Sequence, residues 1–165
     1  MRLMRAATRE AEAVVELEFA PDLPLVKSCA SMLNQTFLNL FKNATEALEG
    51  RGGTIRVSAT RDRNESENRD EVVITVADDG PGIAPQIRAR LFEPFVTTKE
   101  TGRGAGLGLS VCRRILDELG GTLDLRSHEG DESTGATFEI RLPALSRRTE
   151  KAETSSEEAL PESAA

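Results

Sequence analysis

Apolar and polar positions alternate over VVELEF at residues 14–19, placing Val15, Leu17 and Phe19 on one face and Glu16 and Glu18 on the other. That period of two predicts a half-buried strand. After the break APDLP the period becomes helical from about Ser28 to Leu48, with Leu33, Phe37, Leu40, Phe41, Ala44 and Leu48 on one stripe and Gly50, Gly52 and Gly53 ending it. TIRVSAT at 54–60 and EVVITVA at 71–77 read as a hairpin of two strands, joined by an exposed charged connection, RDRNESENRD. A short helix is predicted from Pro85 through Leu91 and a longer one from Leu107 to Leu119, stopped by Gly120 and Gly121. Strands TLDLRS at 122–127 and GATFEIRLP at 135–143 follow. The predicted fold is an α/β (α+β) two-layer sandwich, with a mixed, mainly antiparallel sheet of about five strands and about three helices on one face. Residues 1–13 read as a lead-in, 14–145 as the domain, and 146–165, almost without apolar side chains, as a disordered tail.

Composition narrows the function more than the fold. A chain of 165 residues, 38% hydrophobic and 30% charged, supports one ordinary core. A net charge of −7 and six Phe with no Trp or Tyr argue against a nucleic-acid partner. Any bound phosphate must then be met by backbone donors, a metal or a few local cations. Cys29 and Cys112 lack a paired spacing, which predicts buried free thiols in a reducing, cytoplasmic setting. No stretch approaches the roughly 20 apolar residues that cross a bilayer, and the start has no apolar signal core, so no membrane insertion is expected.

Four segments break the structural pattern. Asn39, Asn43 and Glu46 form a second stripe beside the apolar face of the first long helix. It reads either as a hydrated flank or as amide oxygens turned to a cleft, where they suit a hard cation or a phosphate. Asp78-Asp79-Gly80-Pro81-Gly82-Ile83 leaves the end of a strand. Turn chemistry accounts for Gly80 and Pro81; a carboxylate aimed at an exocyclic amine, with glycine making room for a ring, accounts for more and suits adenine. LFEPFVTTK at 91–99 reads as hydrophobic anchors at the base of a loop, and GRGAGLGLS at 102–110 runs from it into a helix. Gly104, Gly106 and Gly108 there can present backbone N–H groups to phosphate, with Lys99 and Arg103 as local positive charge. The loop lacks a Walker pattern and follows no strand directly, which disfavours a dinucleotide-binding turn.

In order, NLFKNATEAL, DDGPGIA, LFEPFVTTK and GRGAGLGLS resemble the asparagine, first glycine, phenylalanine and second glycine boxes of sensor histidine kinases, and GATFEIRLP resembles the closing strand motif of the same domain. The phenylalanine box is most similar to the nitrogen-regulation type. The resemblance covers residues 14 to 143 and implies a Bergerat-type ATP-binding fold of the gyrase, Hsp90 and MutL superfamily. It implies ATP and Mg²⁺ as cofactors, with Asn43 as the metal ligand and Asn39 positioning the phosphates. Asp78 would accept from the adenine amino group, beside Gly80, Gly82 and Ile83, with Thr137 in support. Phe92 and Phe95 would anchor a lid in which Gly102, Gly104, Gly106, Leu107 and Gly108 wrap the phosphates, and Lys99 and Arg103 add charge.

Departures from the family pattern shape the functional expectation. Glu46 stands where many members carry Lys, and Ala105 where Thr is common. The single histidine, His128, lies in the polar stretch RSHEGDESTG and reads as an exposed loop residue rather than a phosphoacceptor. The acceptor is therefore expected on a His-containing dimerisation domain, in cis in a longer parent or in trans, with a response regulator further downstream. The expected activity is protein-histidine kinase. An ATP-hydrolysing clamp or a nucleotide-binding module without kinase activity are the alternatives. The clamp is disfavoured because an amide at Asn39 cannot take a proton from water.

Overall fold

Five strands pair in the order β1-β2-β3-β5-β4 in the computed structural model, which describes Thr8 and residues 11–97, 105–126 and 135–145. The strands are β1 (Ala13–Phe19), β2 (Gly53–Asn64), β3 (Arg69–Asp78), β4 (Thr122–Leu125) and β5 (Ala136–Pro143). The helices are α1 (Ala30–Leu48), α2 (Pro85–Arg88) and α3 (Gly108–Glu118). Only β1 and β2 run parallel, a pairing made possible because α1 carries the chain back between them; the other three pairs are antiparallel. The mixed, mainly antiparallel sheet is the one the strand pattern predicts.

Alternation decides what each sheet face does. Ile55 of β2, Val76 of β3, Leu123 of β4 and Ala136, Phe138, Ile140 and Leu142 of β5 meet Leu40, Phe41, Ala44 and Leu48 of α1 and Cys112 and Leu116 of α3 in one core. Each fully buried Leu or Ile there contributes about 1.5–3 kcal/mol by leaving water. Two hydroxyls buried on α1 are satisfied within the helix: Thr36 Oγ1 donates to the Met32 carbonyl at 3.1 Å and Thr45 Oγ1 to that of Lys42 at 3.0 Å.

The opposite sheet face is polar and cross-linked. Glu139 accepts from Arg126 at 2.6 Å and Arg141 at 2.8 Å, while Arg141 also reaches Asp62 at 2.9 Å and Glu71 at 3.5 Å. Burial pushes the Glu139 carboxyl up, but the hydrogen bonds from both arginines outweigh it and hold the group below the ordinary carboxylate range. A lowered folded-state value gives stability that is full above the unfolded pKa of about 4.3 and lost as pH falls through the folded value. Between about pH 5 and pH 3, the wild type is therefore expected to lose more stability than Glu139→Gln, as measured by denaturant unfolding at each pH.

Four expectations need correction. The connection 61–70 is mostly strand: the β2–β3 register continues to Asn64↔Arg69, leaving a tight turn at residues 65–68. Its charges hide the strand because they pair across it, Arg61 with Asp70 at 2.6 Å and Arg63 with Asp70 at 3.3 Å. The β1 apolar residues turn toward the helix side in register with Ile55, Val57 and Ala59, yet Leu17 and Phe19 remain 61% and 56% exposed, since no described helix covers this edge. The helix predicted through Leu91 ends at Arg88 and passes into turns, with Leu91 N–H donating to the Arg88 carbonyl and Glu93 N–H to that of Arg90. Cys112 is buried, but Cys29 is exposed at the start of α1. The tail predicted at 146–165 and the His128 loop lie outside the described residues. Among the described residues, no helix is long and apolar enough to cross a membrane.

Candidate functional site

One face of α1 links the two glycine-rich segments. Asn39, Asn43 and Ala47 follow one another at i, i+4 and i+8, so they rise along the same side in steps of about 6 Å. Asn39 Nδ2 donates to the Gly108 carbonyl at 3.3 Å, and the Cys112 thiol donates to the Thr36 carbonyl at 3.7 Å, fixing the start of α3 against α1. Two turns on, Ala47 lies against the Asp78 turn, where a Cβ placed on Gly80 would come within 3.0 Å of the Ala47 Cβ. Asn43, half-buried, therefore stands midway between the glycine loop and the Asp78 turn.

Asp78 closes β3 at the last rung of both neighbouring ladders, opposite Ile55 of β2 and Ala136 of β5. Its Oδ1 accepts from the Gly80 N–H at 3.0 Å and the Ala136 N–H at 3.4 Å. Two backbone donors on one oxygen orient the carboxylate. Burial pushes this carboxyl up from its ordinary range, the two N–H bonds oppose that, and the charge of Asp79 adds to the rise. Gly80 is needed beside it, because a Cβ there would approach Oδ1 to 2.8 Å. Gly82 takes a left-handed φ of 76° against the Gly135 carbonyl, and Arg88 Nε donates to the Ile83 carbonyl at 2.9 Å, fastening the turn to α2. Ile83 itself packs against the core.

Thr137 does not join this group. It alternates with the buried Ala136 and Phe138, which puts it on the opposite sheet face from Asp78, paired with Ala77.

The loop anchors divide in two. Phe92 packs against the core beneath the Arg113 guanidinium, 5.2 Å from its ring centroid. Phe95 does not anchor by its side chain: the residue is 76% exposed and has a left-handed φ of 67°. Its backbone does the holding: the Phe95 N–H donates to the Gly106 carbonyl at 3.0 Å. Gly106 is bare for that reason, since a Cβ would lie 2.7 Å from the Phe95 carbonyl carbon. Leu107 precedes α3, and its carbonyl accepts from the Val111 N–H and the Ser110 hydroxyl. Gly108 is different, with nothing nearer to a notional Cβ than Asn39 Cγ at 3.8 Å. Lys99, Gly102, Arg103 and Gly104 lie outside the described residues.

The contrast between the two described loop glycines gives a prediction. Gly108→Ala makes only ordinary van der Waals contact with Asn39 and replaces a poor helix former, so it is expected to raise stability by up to about 1 kcal/mol while weakening ATP binding. Gly106→Ala is expected to lower both. Thermal unfolding and calorimetric titration of the two variants separate a glycine kept for ligand approach from one kept for packing.

Two contributors were hidden from pattern reading. Gly135, whose φ is 127°, backs directly onto the Asp78 carbonyl, and Asp79 bonds the backbone of β2 rather than facing the cleft. The signal for Asp79 was present in the doubled acid, but nothing in the sequence assigned the two carboxylates to different partners.

The chain matches the family of histidine kinase-, DNA gyrase B- and HSP90-like ATPases over residues 30–146. It belongs to that family. It is 39% identical over 136 residues to the sensor histidine kinase ZraS of Salmonella typhimurium, covering 81% of this chain and 27% of that protein. To the nitrogen regulation protein NtrY of Azorhizobium caulinodans it is 35% identical over 150 residues, covering 87% and 18%. This chain thus spans about a quarter or less of these two relatives. Among solved structures, the catalytic domain of histidine kinase ThkA superposes with a TM-score of 0.69 at 28% identity, covering 87% of this chain and 86% of that one. Full-length ShkA, solved in complex with AMPPNP, superposes with a TM-score of 0.68 at 30% identity, covering 88% of this chain and 28% of that one. The fold is accordingly that of histidine kinase catalytic domains, and the ATP-binding role is that of the family.

Proposed function

We propose that the domain holds ATP with its base at Asp78 and its phosphates at the start of α3, and presents the γ-phosphate to a histidine on a separate dimerisation domain. The observation that carries this reading is the α1 face, where Asn39 touches Gly108, Ala47 borders Gly80 and Asn43 lies between them. A ligand lying along that face meets a carboxylate at one end and helix-start backbone at the other, which suits the two ends of a nucleoside triphosphate. Asp78 Oδ2 accepts from the adenine amino group; guanine carries a carbonyl at that position and is refused by repulsion between acceptors.

Mg²⁺ fits the donors on the page. Among the described residues no cluster of three or more His, Cys, Asp or Glu could hold a metal by itself. An amide oxygen from Asn43 suits a hard cation that brings phosphate oxygens and waters as its remaining ligands, and when bound such a cation neutralises triphosphate charge. Lys99 and Arg103 supply further positive charge to the phosphates. Asn39 fixes the loop through Gly108 and offers no carboxylate base, so the domain favours a supplied nucleophile over water. Transfer is then a matter of positioning: an imidazole nitrogen attacks the γ-phosphorus in line, the bond to the β,γ-bridging oxygen breaks, and ADP leaves. The identity of both relatives supports this role, and their greater length leaves room for the acceptor domain and for an indirect response-regulator partner.

The test mixes this chain with Mg-ATP and a separately supplied dimerisation domain of a close relative and follows acid-labile phosphate on its histidine. Labelling is expected. ATP binding without labelling would favour a nucleotide-binding module instead.

A further inference from the structure

We infer that Asp79 is the positioning residue that holds Asp78 in its base-reading place, by clamping the end of β3 to the start of β2 through Thr54; this rests on Asp78 reading the base. Asp78 occupies the last paired rung on both sides of β3, where a strand end is free to fray. Asp79 adds a rung beyond it. Its Oδ1 accepts from the Thr54 N–H at 2.8 Å and its own N–H donates to the Thr54 carbonyl at 3.3 Å, so one residue closes both backbone groups of Thr54.

The surroundings are shaped to admit this side chain. Gly53 has a φ of 146°, and a Cβ there would overlap Asp79 Oδ1 while standing 3.1 Å from its Cγ. From the β5 side, a Cβ on Gly135 would come within 3.1 Å of Asp79 Cα. Released from Thr54, residues 78–80 lose the restraint that keeps the Gly80 and Ala136 N–H groups on Asp78 Oδ1. The two adjacent acids thus divide the work: one faces the ligand and the other faces the sheet.

Titration calorimetry of the full chain with Mg-ATP and with Mg-GTP gives the ATP-over-GTP affinity ratio that tests this. Asp78→Asn is expected to abolish the preference. Asp79→Ala is expected to reduce it about 3- to 10-fold, the range set by loss of one hydrogen bond. Asp79→Asn keeps an oxygen for Thr54 and should restore the preference to within about twofold. It should also carry ATP binding to lower pH, because without the neighbouring negative charge Asp78 ionises more readily. A general loss of stability would weaken both nucleotides in parallel and leave their ratio unchanged. Wild-type preference in a folded Asp79→Ala, alongside its loss in Asp78→Asn, overturns the inference alone. Retained preference in Asp78→Asn overturns the base-reading role and the inference with it. If Asp79→Ala fails to fold, Asp79→Asn decides: a lost preference in the folded variant, whose side-chain oxygen still accepts from Thr54, counts against the clamp, and a kept preference supports it.

Discussion

Asn43→Ala is expected to abolish magnesium-dependent ATP binding while leaving the fold intact. The two effects differ in size because they act on different links of the chain. In the helix, Ala replaces a residue whose amide competes for backbone hydrogen bonds, and the gain of up to about 0.7 kcal/mol offsets the contact that the Asn43 side chain gives up. In the cleft, the substitution removes the α1 amide that stands between the glycine loop and the Asp78 turn. Loss of a direct metal ligand should exceed the roughly 10- to 100-fold that an outer partner costs, so affinity for Mg-ATP is expected to fall by more than about 100-fold. Calorimetry with Mg²⁺ and again with a chelator separates the metal role from simple contact, since only the first titration should change much. Equal affinities of variant and wild type in Mg²⁺ would remove Asn43 from the metal site.

The sequence made this face visible because helical periodicity is regular and polar intruders stand out against it. Asn39 and Asn43 interrupt a pattern that Leu40, Phe41, Ala44 and Leu48 otherwise fill, and the same logic located Asp78 at the end of an apolar strand. Sheet register was harder to read. β1 shows the alternation of a half-buried strand, but alternation reports which way side chains point and not whether anything lies over them, and Leu17 and Phe19 stay exposed. The β2–β3 turn is masked for the converse reason: Arg61, Arg63 and Asp70 look like a solvated connection until their partners across the strands are known. Phe95 belongs with these. An aromatic residue beside proline suggests an anchor, yet the interaction that holds the loop runs through its backbone to Gly106. Features that depend on one backbone passing close to another, such as Gly135 against Asp78, leave only a bare glycine in the sequence.

That glycine carries the second large effect. Gly135→Ala is expected to lower the thermal midpoint by about 10 °C and to remove ATP binding even from molecules that remain folded. The backbone term comes first: a φ of 127° is accessible to glycine and costs an L-residue about 1–3 kcal/mol. The steric term adds to it, since the new methyl would overlap the Asp78 carbonyl oxygen and stand 3.0 Å from its carbonyl carbon. Neither obstacle is the end of a flexible side chain, so relief requires moving β3 or β5. Both moves separate the Ala136 N–H from Asp78 Oδ1, the bond that orients the carboxylate from the β5 side. Stability and base recognition should therefore fall together here, whereas Gly108→Ala should divide them. A Gly135→Ala variant that kept its ATP-over-GTP preference, with a midpoint near that of the wild type, would show that β5 can shift without disturbing Asp78.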